Sequence, residues 1–471
     1  MFAFVGVVFV VIALIHLYLW KRLVRDTLRP GRWRRLGTVL AVLLAVLVPA
    51  TLIGVRSGAV EWLAWPGYLW LALMFYLLVV LAVLEIPRLV VGRWLRRRPA
   101  VGTPDPQSAP ATAADHSVAA PAAASAGTAS AGGSASAGGS GSAGGSGWAG
   151  GSGSAGGSGA AAPAGRGVAG EPSGTKGPRP AEESPAPAGA LDRPGMDRRL
   201  LLARGAAIFA GLTAVGITGY GVRTALGPPR LDRVQLPMAK LPRAMDGTRL
   251  AVVSDIHLGP LTGSDHVRRI VDLINSVDAD VVAIVGDLVD GSVAELGPGA
   301  AALADIRSRQ GAYFVTGNHE YYSGFQEWVD EVARLGVRPL RNERLEIATR
   351  GGVFDLAGVN DPGGAAFGDA PDFARALDGR DTSRPVVLMA HQPVVARDAA
   401  KYGVDLQVSG HTHGGQMAPF NLLVKLQQPV VSGLGTVDGV PVYVTNGAGF
   451  WGPPVRVGAP PQVTLLELHT P

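Results

Sequence analysis

Cysteine is absent from this chain of 471 residues. Its absence excludes disulfide bonds, zinc–thiolate sites and catalysis by a cysteine nucleophile. A chain without thiols is also indifferent to redox conditions, so the composition leaves the compartment open. Glycine and proline are abundant instead, with 65 and 35 residues, and they are concentrated in one part of the chain.

The C-terminal half of the chain has no excess of basic over acidic residues. Residues 228–471 carry 21 Lys and Arg against 27 Asp and Glu, whereas residues 1–98 carry 13 against 3. The formal net charge of +5 therefore comes from the N-terminal part, among apolar segments. There it indicates membrane topology rather than contact with nucleic acid, and no nucleic-acid partner is favoured.

The sequence contains four apolar runs, each near the roughly 20 residues that an α-helix needs to cross a bilayer. They cover Phe2–Trp20 and about residues 36–55, 65–84 and 205–222. Tryptophans lie at or near the ends of the first three runs, as interfacial aromatics do. The runs predict a multi-pass membrane protein.

Basic residues beside these runs predict the orientation. Seven Lys and Arg fill residues 21–35 and five Arg lie within 88–98, whereas the second connection holds only Arg56 and Glu61. Because short basic connections stay in the cytoplasm, the N-terminus and everything after about residue 223 are predicted outside. The expected location is the cell membrane, with the C-terminal domain on the extracytoplasmic side.

Residues from about 99 to 190 are mostly Ala, Gly, Ser and Pro, a composition that predicts a disordered tether. Arg198 and Arg199 then precede leucines and the fourth apolar run. This pattern is typical of an internal twin-arginine export signal or of an ordinary fourth span, and both stay open. The predicted organisation is a three-helix anchor (1–98), the tether (99–190), the fourth segment (191–227) and a soluble domain (228–471).

Short β-branched runs alternate with amphipathic stretches beyond about residue 249, which predicts an α/β domain. Strands are predicted at 250–254, 281–285, 313–316, 386–390, 406–409 and 442–445, and helices at about 265–276 and 325–335. Ligands of open α/β sheets gather at the carboxyl ends of strands. The residues that follow these strands are therefore the candidate site.

Five motifs follow the strands. They read Asp255-Ile256-His257, Gly286-Asp287-Leu288-Val289-Asp290, Gly317-Asn318-His319-Glu320, His391 and Gly410-His411-Thr412-His413. Five of the nine histidines fall in them. One histidine at a strand end is usually structural, but five with Asp, Asn and Gly companions indicate a metal site. The mixture of N and O ligands suits Mn, Fe, Zn or Co.

The order of these motifs resembles the calcineurin-like metallophosphoesterase family over about residues 245–468. The resemblance implies a four-layer α/β/β/α sandwich that holds two divalent metal ions. By resemblance, one ion is bound by Asp255, His257 and His413, the other by Asn318, His391 and His411, and Asp287 bridges them. His319 matches the family's histidine that contacts the scissile phosphate. Asp290 either orients a metal ligand or caps the following turn.

The resemblance implies hydrolysis of a phosphoester. Two adjacent divalent ions clamp the phosphate and lower the pKa of a bridging water, and the hydroxide attacks phosphorus. His319 would stabilise the developing charge and protonate the leaving oxygen. We therefore predict a membrane-anchored phosphoesterase that acts on a phosphodiester or on a lipid- or envelope-linked phosphate.

One difference from the family's motifs narrows the range of expected substrates. In the family's Ser/Thr protein phosphatases an arginine follows the second motif, and this chain has Gly291 there. Gly414-Gly415-Gln416 and residues 447–456 resemble instead the bacterial membrane-associated branch, which includes phosphodiesterases and relatives of UDP-diacylglucosamine pyrophosphohydrolases. Arg456 either binds phosphate or forms a structural ion pair. The apolar loop 417–424 either meets the membrane or an acyl chain, or packs on the sandwich.

Two other functions compete with this prediction. A non-catalytic membrane scaffold or receptor is disfavoured by the intact ligand set, because a lapsed site would have lost a ligand. An exported nucleotidase or nuclease ranks lower because the domain has no basic groove for a polyanion. The sequence does not assign the physiological substrate, the native metals or the oligomeric state.

Overall fold

The computed structural model describes residues 2–97, 194–349 and 351–471. The predicted tether at 99–190 lies outside the described residues, as do the side chains of Arg198 and Arg199 on which the twin-arginine hypothesis depends. The described part consists of four long N-terminal helices followed by two mixed β-sheets with shorter helices.

The four apolar runs form four long helices. They are α1 (Phe2–Trp20), α2 (Arg32–Arg56), α3 (Ala64–Arg97) and α4 (Pro194–Leu226). By length and composition, each can cross a membrane. At most 28% of the most apolar part of each helix is buried in the protein. Helices that leave so much apolar surface outside the protein suit a lipid environment, where their backbone groups are satisfied internally.

Polar contacts hold one end of the helix bundle together. The guanidinium of Arg22 lies 2.6 Å from a carboxylate oxygen of Glu85 in α3. Arg204 of α4 donates from Nε to the backbone oxygen of Thr27 at 3.0 Å. The basic connection after α1 and the start of α4 therefore share this end. The short connection between α2 and α3 lies at the opposite end, beside the β-sheets.

Within the described residues, twelve strands and seven further α-helices follow. The strands are β1 (Arg230–Pro237), β2 (Thr248–Val253), β3 (Val281–Val285), β4 (Ala312–Val315), β5 (Arg338–Pro339), β6 (Glu343–Thr349), β7 (Gly352–Gly358), β8 (Val386–Met389), β9 (Leu406–Ser409), β10 (Gly433–Val437), β11 (Val440–Val444) and β12 (Gln462–His469). The helices are α5 (Ser264–Asn275), α6 (Val293–Ala300), α7 (Asn318–Tyr322), α8 (Phe325–Arg334), α9 (Phe373–Leu377), α10 (Ala396–Ala399) and α11 (Asn421–Val424).

The strands form two six-stranded sheets, in the orders β1-β12-β2-β3-β4-β5 and β10-β11-β9-β8-β7-β6. Within the first sheet, β2 to β5 are parallel, and β12 runs antiparallel to β2. Within the second, β7, β8, β9 and β11 are parallel, and β6 and β10 run antiparallel to their neighbours. All six strands and both helices predicted from the sequence are present, with ends within two residues.

Alternation of side chains along the buried strands creates the layers, because successive residues point to opposite faces of a sheet. In β2, Leu250 and Val252 join the core between the sheets, whereas Ala251 and Val253 face α5 and α8. In β8, Val387 faces the other sheet, whereas Leu388 packs with α9 and α10. The result is the expected four-layer α/β/β/α sandwich, preceded by long apolar helices.

Candidate metal centre

The five motifs lie at the carboxyl ends of five strands. Those of the first sheet follow β2, β3 and β4, and those of the second follow β8 and β9. Because the strands within each set are parallel, their ends lie at one edge of the sandwich. The two sheets face each other across this edge, which brings all seven predicted metal ligands together.

The first group of ligands contains Asp255, His257 and His413, which are all buried and offer atoms within 4.8 Å of one another. The Nε2 atoms of His257 and His413 are 3.0 Å apart. Nε2 of His413 also lies 3.3 Å from Oδ1 of Asp255. These are the three residues that the resemblance assigns to one ion.

The second group contains Asp287, His391 and His411, again with atoms within 4.8 Å of one another. Nε2 of His391 lies 3.1 Å from Oδ2 of Asp287. Nδ1 of His411 lies 3.1 Å from Oδ1 of Asn318 and 3.3 Å from Nε2 of His391. Oδ2 of Asp287 is also 3.9 Å from Nε2 of His257, so this carboxylate stands between the two groups.

The orientation of His391 shows that these donors fit a cation. Its Nδ1–H donates to the carbonyl oxygen of Val285 at 2.9 Å, which leaves Nε2 with a lone pair. In the neutral ring that lone pair faces the carboxylate of Asp287, and two acceptors in contact are unfavourable unless a proton or a metal ion lies between them. His257 repeats the pattern, with Nδ1 against Asp290 and Nε2 turned toward His413.

The electrostatics of the cluster agree with this fit. Burial opposes a charge on His391, but the carboxylate of Asp287 outweighs it and raises the pKa of His391 well above its ordinary value. Burial and the charge on His391 lower the pKa of His411 to about 3. Burial and Arg456 likewise lower the pKa of His413. His411 and His413 are therefore neutral, the form that binds divalent metals, whereas the proton on His391 occupies the place of a cation beside Asp287 and would be released when a metal binds.

The backbone of the cluster is strained. Positive φ angles occur at five of the seven predicted ligands: Asp255 (52°), His257 (47°), Asp287 (51°), His411 (70°) and His413 (52°). Residues other than glycine rarely adopt this conformation, which costs about 1–3 kcal/mol each and concentrates at functional sites. The strand ends therefore hold their ligands in conformations that a purely structural loop would avoid.

Two motif glycines allow the ligand loops to approach one another. A Cβ atom at Gly410 would lie 1.9 Å from Oγ of Ser254 and 2.3 Å from Oδ2 of Asp255. A Cβ atom at Gly317 would lie 2.2 Å from Oδ1 of Asp287. Both distances are far below van der Waals contact, so any side chain at either position would push a ligand carboxylate out of place.

Asp290 orients two histidines rather than only capping a turn. Its Oδ1 accepts from Nδ1 of His257 at 2.9 Å and from Nδ1 of His319 at 2.6 Å. Burial opposes a charge on His319, but Asp287 and Asp290 outweigh it and raise the pKa of His319 to about 9. His319 is therefore protonated at neutral pH in this arrangement, and Nε2–H is free to donate to an anion.

Glu320 received no role from the sequence, although it ends the third motif. Its buried carboxylate accepts the backbone N–H groups of Gly317 (2.6 Å), Asp287 (3.0 Å) and Leu288 (2.7 Å). It thereby ties the loop after β4 to the loop after β3. Its position in the Gly-Asn-His-Glu motif was the available signal, but the donors come from two loops that only the folded chain brings together.

We expect Glu320→Gln to destabilise the protein. The new amide places an N–H group against backbone N–H donors, and each buried donor left unsatisfied costs about 1–3 kcal/mol. Thermal unfolding of the full chain in detergent should show a melting temperature lower by several degrees, on the order of 2–4 °C per kcal/mol for a domain of this size. Glu327→Gln, at an exposed position of α8, is the control, and an equal effect in both variants would contradict the assigned role.

Arg456 is too deeply buried to reach a phosphate and forms no ion pair with any described residue, so the structure gives it neither of the two roles inferred from the sequence. The side chain is fully buried, with an exposed fraction of 0%. Its guanidinium donates to the backbone oxygens of His413 (2.8 Å), Asn446 (2.8 Å), Gly449 (2.9 Å) and Ala459 (3.3 Å). Burial lowers its pKa to about 9, which leaves it charged at neutral pH. Arg456 holds the loop of a predicted ligand in place.

The apolar loop 417–424 is partly packed on the protein and partly exposed, so each of the two roles considered for it fits one part of the loop. Met417 packs with the long helices, and Phe420 lies against Phe75 of α3 with ring centroids 6.4 Å apart. Leu422, Leu423 and the following Leu426 are 61%, 58% and 83% exposed. The loop is therefore anchored beside an apolar helix while its leucines stay uncovered by the protein.

Comparisons with known proteins agree with this geometry. The family model described as "Calcineurin-like phosphoesterase" matches residues 248–415. The chain is 38% identical over 267 residues to a "Transmembrane protein with metallophosphoesterase domain" of Danio rerio, covering 55% of this chain and 61% of that protein. It is 33% identical over 245 residues to a metallophosphoesterase of Aquifex aeolicus, covering 51% of this chain and 91% of that protein.

A metallophosphoesterase of Helicobacter pylori strain J99 is 36% identical over 260 residues, covering 55% of this chain and 68% of that protein. The chain spans less than two thirds of the length of the related vertebrate proteins, 61% for Danio rerio and 64% for Bos taurus. The matches nevertheless cover most of the two bacterial relatives, and the family model covers all five motifs. This chain belongs to the calcineurin-like metallophosphoesterase family.

Proposed function

We propose that this protein is a membrane-anchored phosphoesterase that depends on two divalent metal ions. The observation that carries the proposal is the meeting of seven N and O donors from both sheets in two adjacent groups. Asp255, His257 and His413 would hold one ion, and Asn318, His391 and His411 the other, with Asp287 between them. When bound, such ions polarise the phosphate and supply a nucleophile at neutral pH.

The chain's own residues do the remaining work. His319 lies beside the donor groups, its ring centroid 4.7 Å from that of His257. Held by Asp290 through Nδ1, it presents Nε2–H to the phosphate and can protonate the leaving oxygen. Tyr322 and Trp451 pack edge-on against His319 with ring centroids 5.7 and 6.4 Å away, and both rings are exposed, so they border the open side of the site.

We propose further that the chain crosses the membrane several times and carries this domain on the extracytoplasmic side. Four long apolar helices and a similar vertebrate protein named as transmembrane support the membrane location. Basic residues crowd the end of the bundle away from the β-sheets, which supports the orientation by the positive-inside rule. Whether α4 reaches the membrane by the twin-arginine route stays a separate hypothesis.

Metal removal tests the proposed reaction. The full chain, purified in detergent, should hydrolyse bis-p-nitrophenyl phosphate or p-nitrophenyl phosphate when Mn is present, and treatment with a chelator should abolish that activity. Re-addition of Mn should restore it, and metal analysis should give about two ions per chain. Bound metal without hydrolysis of either ester would contradict the proposal and favour the scaffold.

A further inference from the structure

The connection between α2 and α3 lies against the rim of the candidate metal centre, a rim formed by Tyr322 and Trp451 beside His319. Arg56, the last residue of α2, places its guanidinium carbon 5.0 Å from the ring centroid of Tyr322. Tyr322 in turn packs edge-on against His319, with ring centroids 5.7 Å apart. A single aromatic ring therefore separates Arg56 from the side chain proposed to contact the phosphate.

The start of α3 closes on the same rim. Tyr68 is mostly buried, and its Cε1 lies 3.6 Å from the Cβ position of Gly452, next to Trp451. The carboxylate of Asp290 lies within electrostatic range of the Tyr68 hydroxyl. Residues 56–68 thus form a wall beside the site, and the long helices do more than anchor the domain.

Arg56 is a cation that forms no ion pair within the described part of the chain. Its guanidinium lies over the ring of Tyr322 and within electrostatic range of the Tyr68 hydroxyl. A cation over an exposed ring contributes only about 0.5–1 kcal/mol, so the contact by itself explains little of the position. A guanidinium left free to form two hydrogen bonds suits a phosphate group.

Position 291, where the family's Ser/Thr protein phosphatases have an arginine, has no room for an arginine side chain here. A Cβ atom at Gly291 would lie 3.0 Å from Leu296 and 3.2 Å from the carboxylate of Glu295. An arginine there would have to displace both side chains. Arg56 instead approaches the rim from the membrane helices, at the end of an apolar helix where lipid headgroups lie.

We propose that Arg56 is a substrate-binding residue of this site, and that it grips the phosphate of a phosphoester embedded in the membrane. This inference rests on the proposed phosphoesterase function. The uncovered leucines at 422, 423 and 426 lie on a loop that is anchored beside α3 through Phe420, which places an apolar surface next to the bilayer. The substrate enters along the membrane surface, between that loop and residues 56–68.

The test compares Arg56→Gln and Arg56→Lys with the native full chain in mixed micelles. The probe is dioleoyl phosphatidic acid, whose binding is followed by tryptophan fluorescence and by competitive inhibition of bis-p-nitrophenyl phosphate hydrolysis. Arg56→Gln should weaken binding at least tenfold, and Arg56→Lys should recover part of the loss. For the soluble ester, KM should change more than kcat.

Arg223→Gln is the matched control, since it removes an exposed arginine from the end of α4 on the same side of the bundle. It should leave binding of phosphatidic acid and hydrolysis unchanged. Equal binding in Arg56→Gln and the native chain would overturn the inference, as would a native chain that binds inorganic phosphate but not phosphatidic acid. A native chain that binds phosphatidic acid without metal-dependent hydrolysis would refute the proposed function alone, since binding is measured independently.

Discussion

Replacing Asp287 with alanine should abolish hydrolysis and release bound metal. Its carboxylate lies 3.1 Å from His391 and 3.9 Å from His257, so it lies between the two groups of donors. Several kcal/mol of transition-state stabilisation depend on bound metal, which predicts a fall in kcat on the order of 10³-fold or more. Activity on bis-p-nitrophenyl phosphate and metal content should be measured on the same sample.

Asp355→Asn provides the matched control. Asp355 is an equally buried carboxylate in β7 of the second sheet, with Arg344 at 3.6 Å and no predicted metal ligand among its partners. This variant should keep its metal and its activity. If Asp287→Ala retained two ions per chain and full activity, the bridging position of Asp287 would be wrong.

Replacing Arg456 with leucine should cause the largest loss of stability. The change removes the donors that bind four backbone oxygens. The oxygen of His413 keeps the N–H of Gln416 at 3.0 Å, whereas no other described donor reaches the oxygens of Asn446, Gly449 and Ala459. Each buried acceptor left unsatisfied costs about 1–3 kcal/mol, so we expect a loss of several kcal/mol. Since the loop of His413 loses its support, metal content should fall along with the melting temperature of the full chain in detergent.

Arg456→Lys separates charge from geometry. Lysine keeps the positive charge but has three donors on one atom, so it cannot reach all four oxygens. We expect its melting temperature to lie between those of the native chain and the leucine variant. Exposed Arg268→Leu on α5 is the control for loss of an arginine. A stable Arg456→Leu variant with a full complement of metal would contradict the structural role.

Some strands and ligands of the site could be predicted from the sequence, and others could not. Asp255, Asp287 and His391 follow strands whose β-branched runs are buried on both faces, so both the strand and its ligand end are visible in a short window. Strands β1, β5, β6, β7, β10 and β12 are short, carry polar residues or lie far from any motif, and none was predicted. β1 and β12 join the first sheet through contacts distant in sequence, whereas β6 with β7 and β10 with β11 form local hairpins.

Arg456 is the clearest case of a role that required the fold. In the sequence it is an arginine in a Gly- and Pro-rich stretch, and a phosphate ligand or an ion pair were the natural interpretations. The structure surrounds it with carbonyl oxygens of residues 413, 446, 449 and 459, which come from the loop after β9 and from the segment between β11 and β12. A side chain that binds backbone oxygens has no particular partner residue type, so its role cannot be recognised from the sequence.

The sequence by itself determined the family, the predicted ligands and the four apolar helices, because each depends on residue types at short, regular spacing. Only the tertiary structure decided which side chains orient those ligands, namely Asp290, Glu320 and Arg456, and that α2 and α3 border the site. Those arrangements depend on contacts between segments far apart in the chain. Arg56 and Tyr322 are separated by most of the protein, and only the packing of the domain on its own helices brings them together.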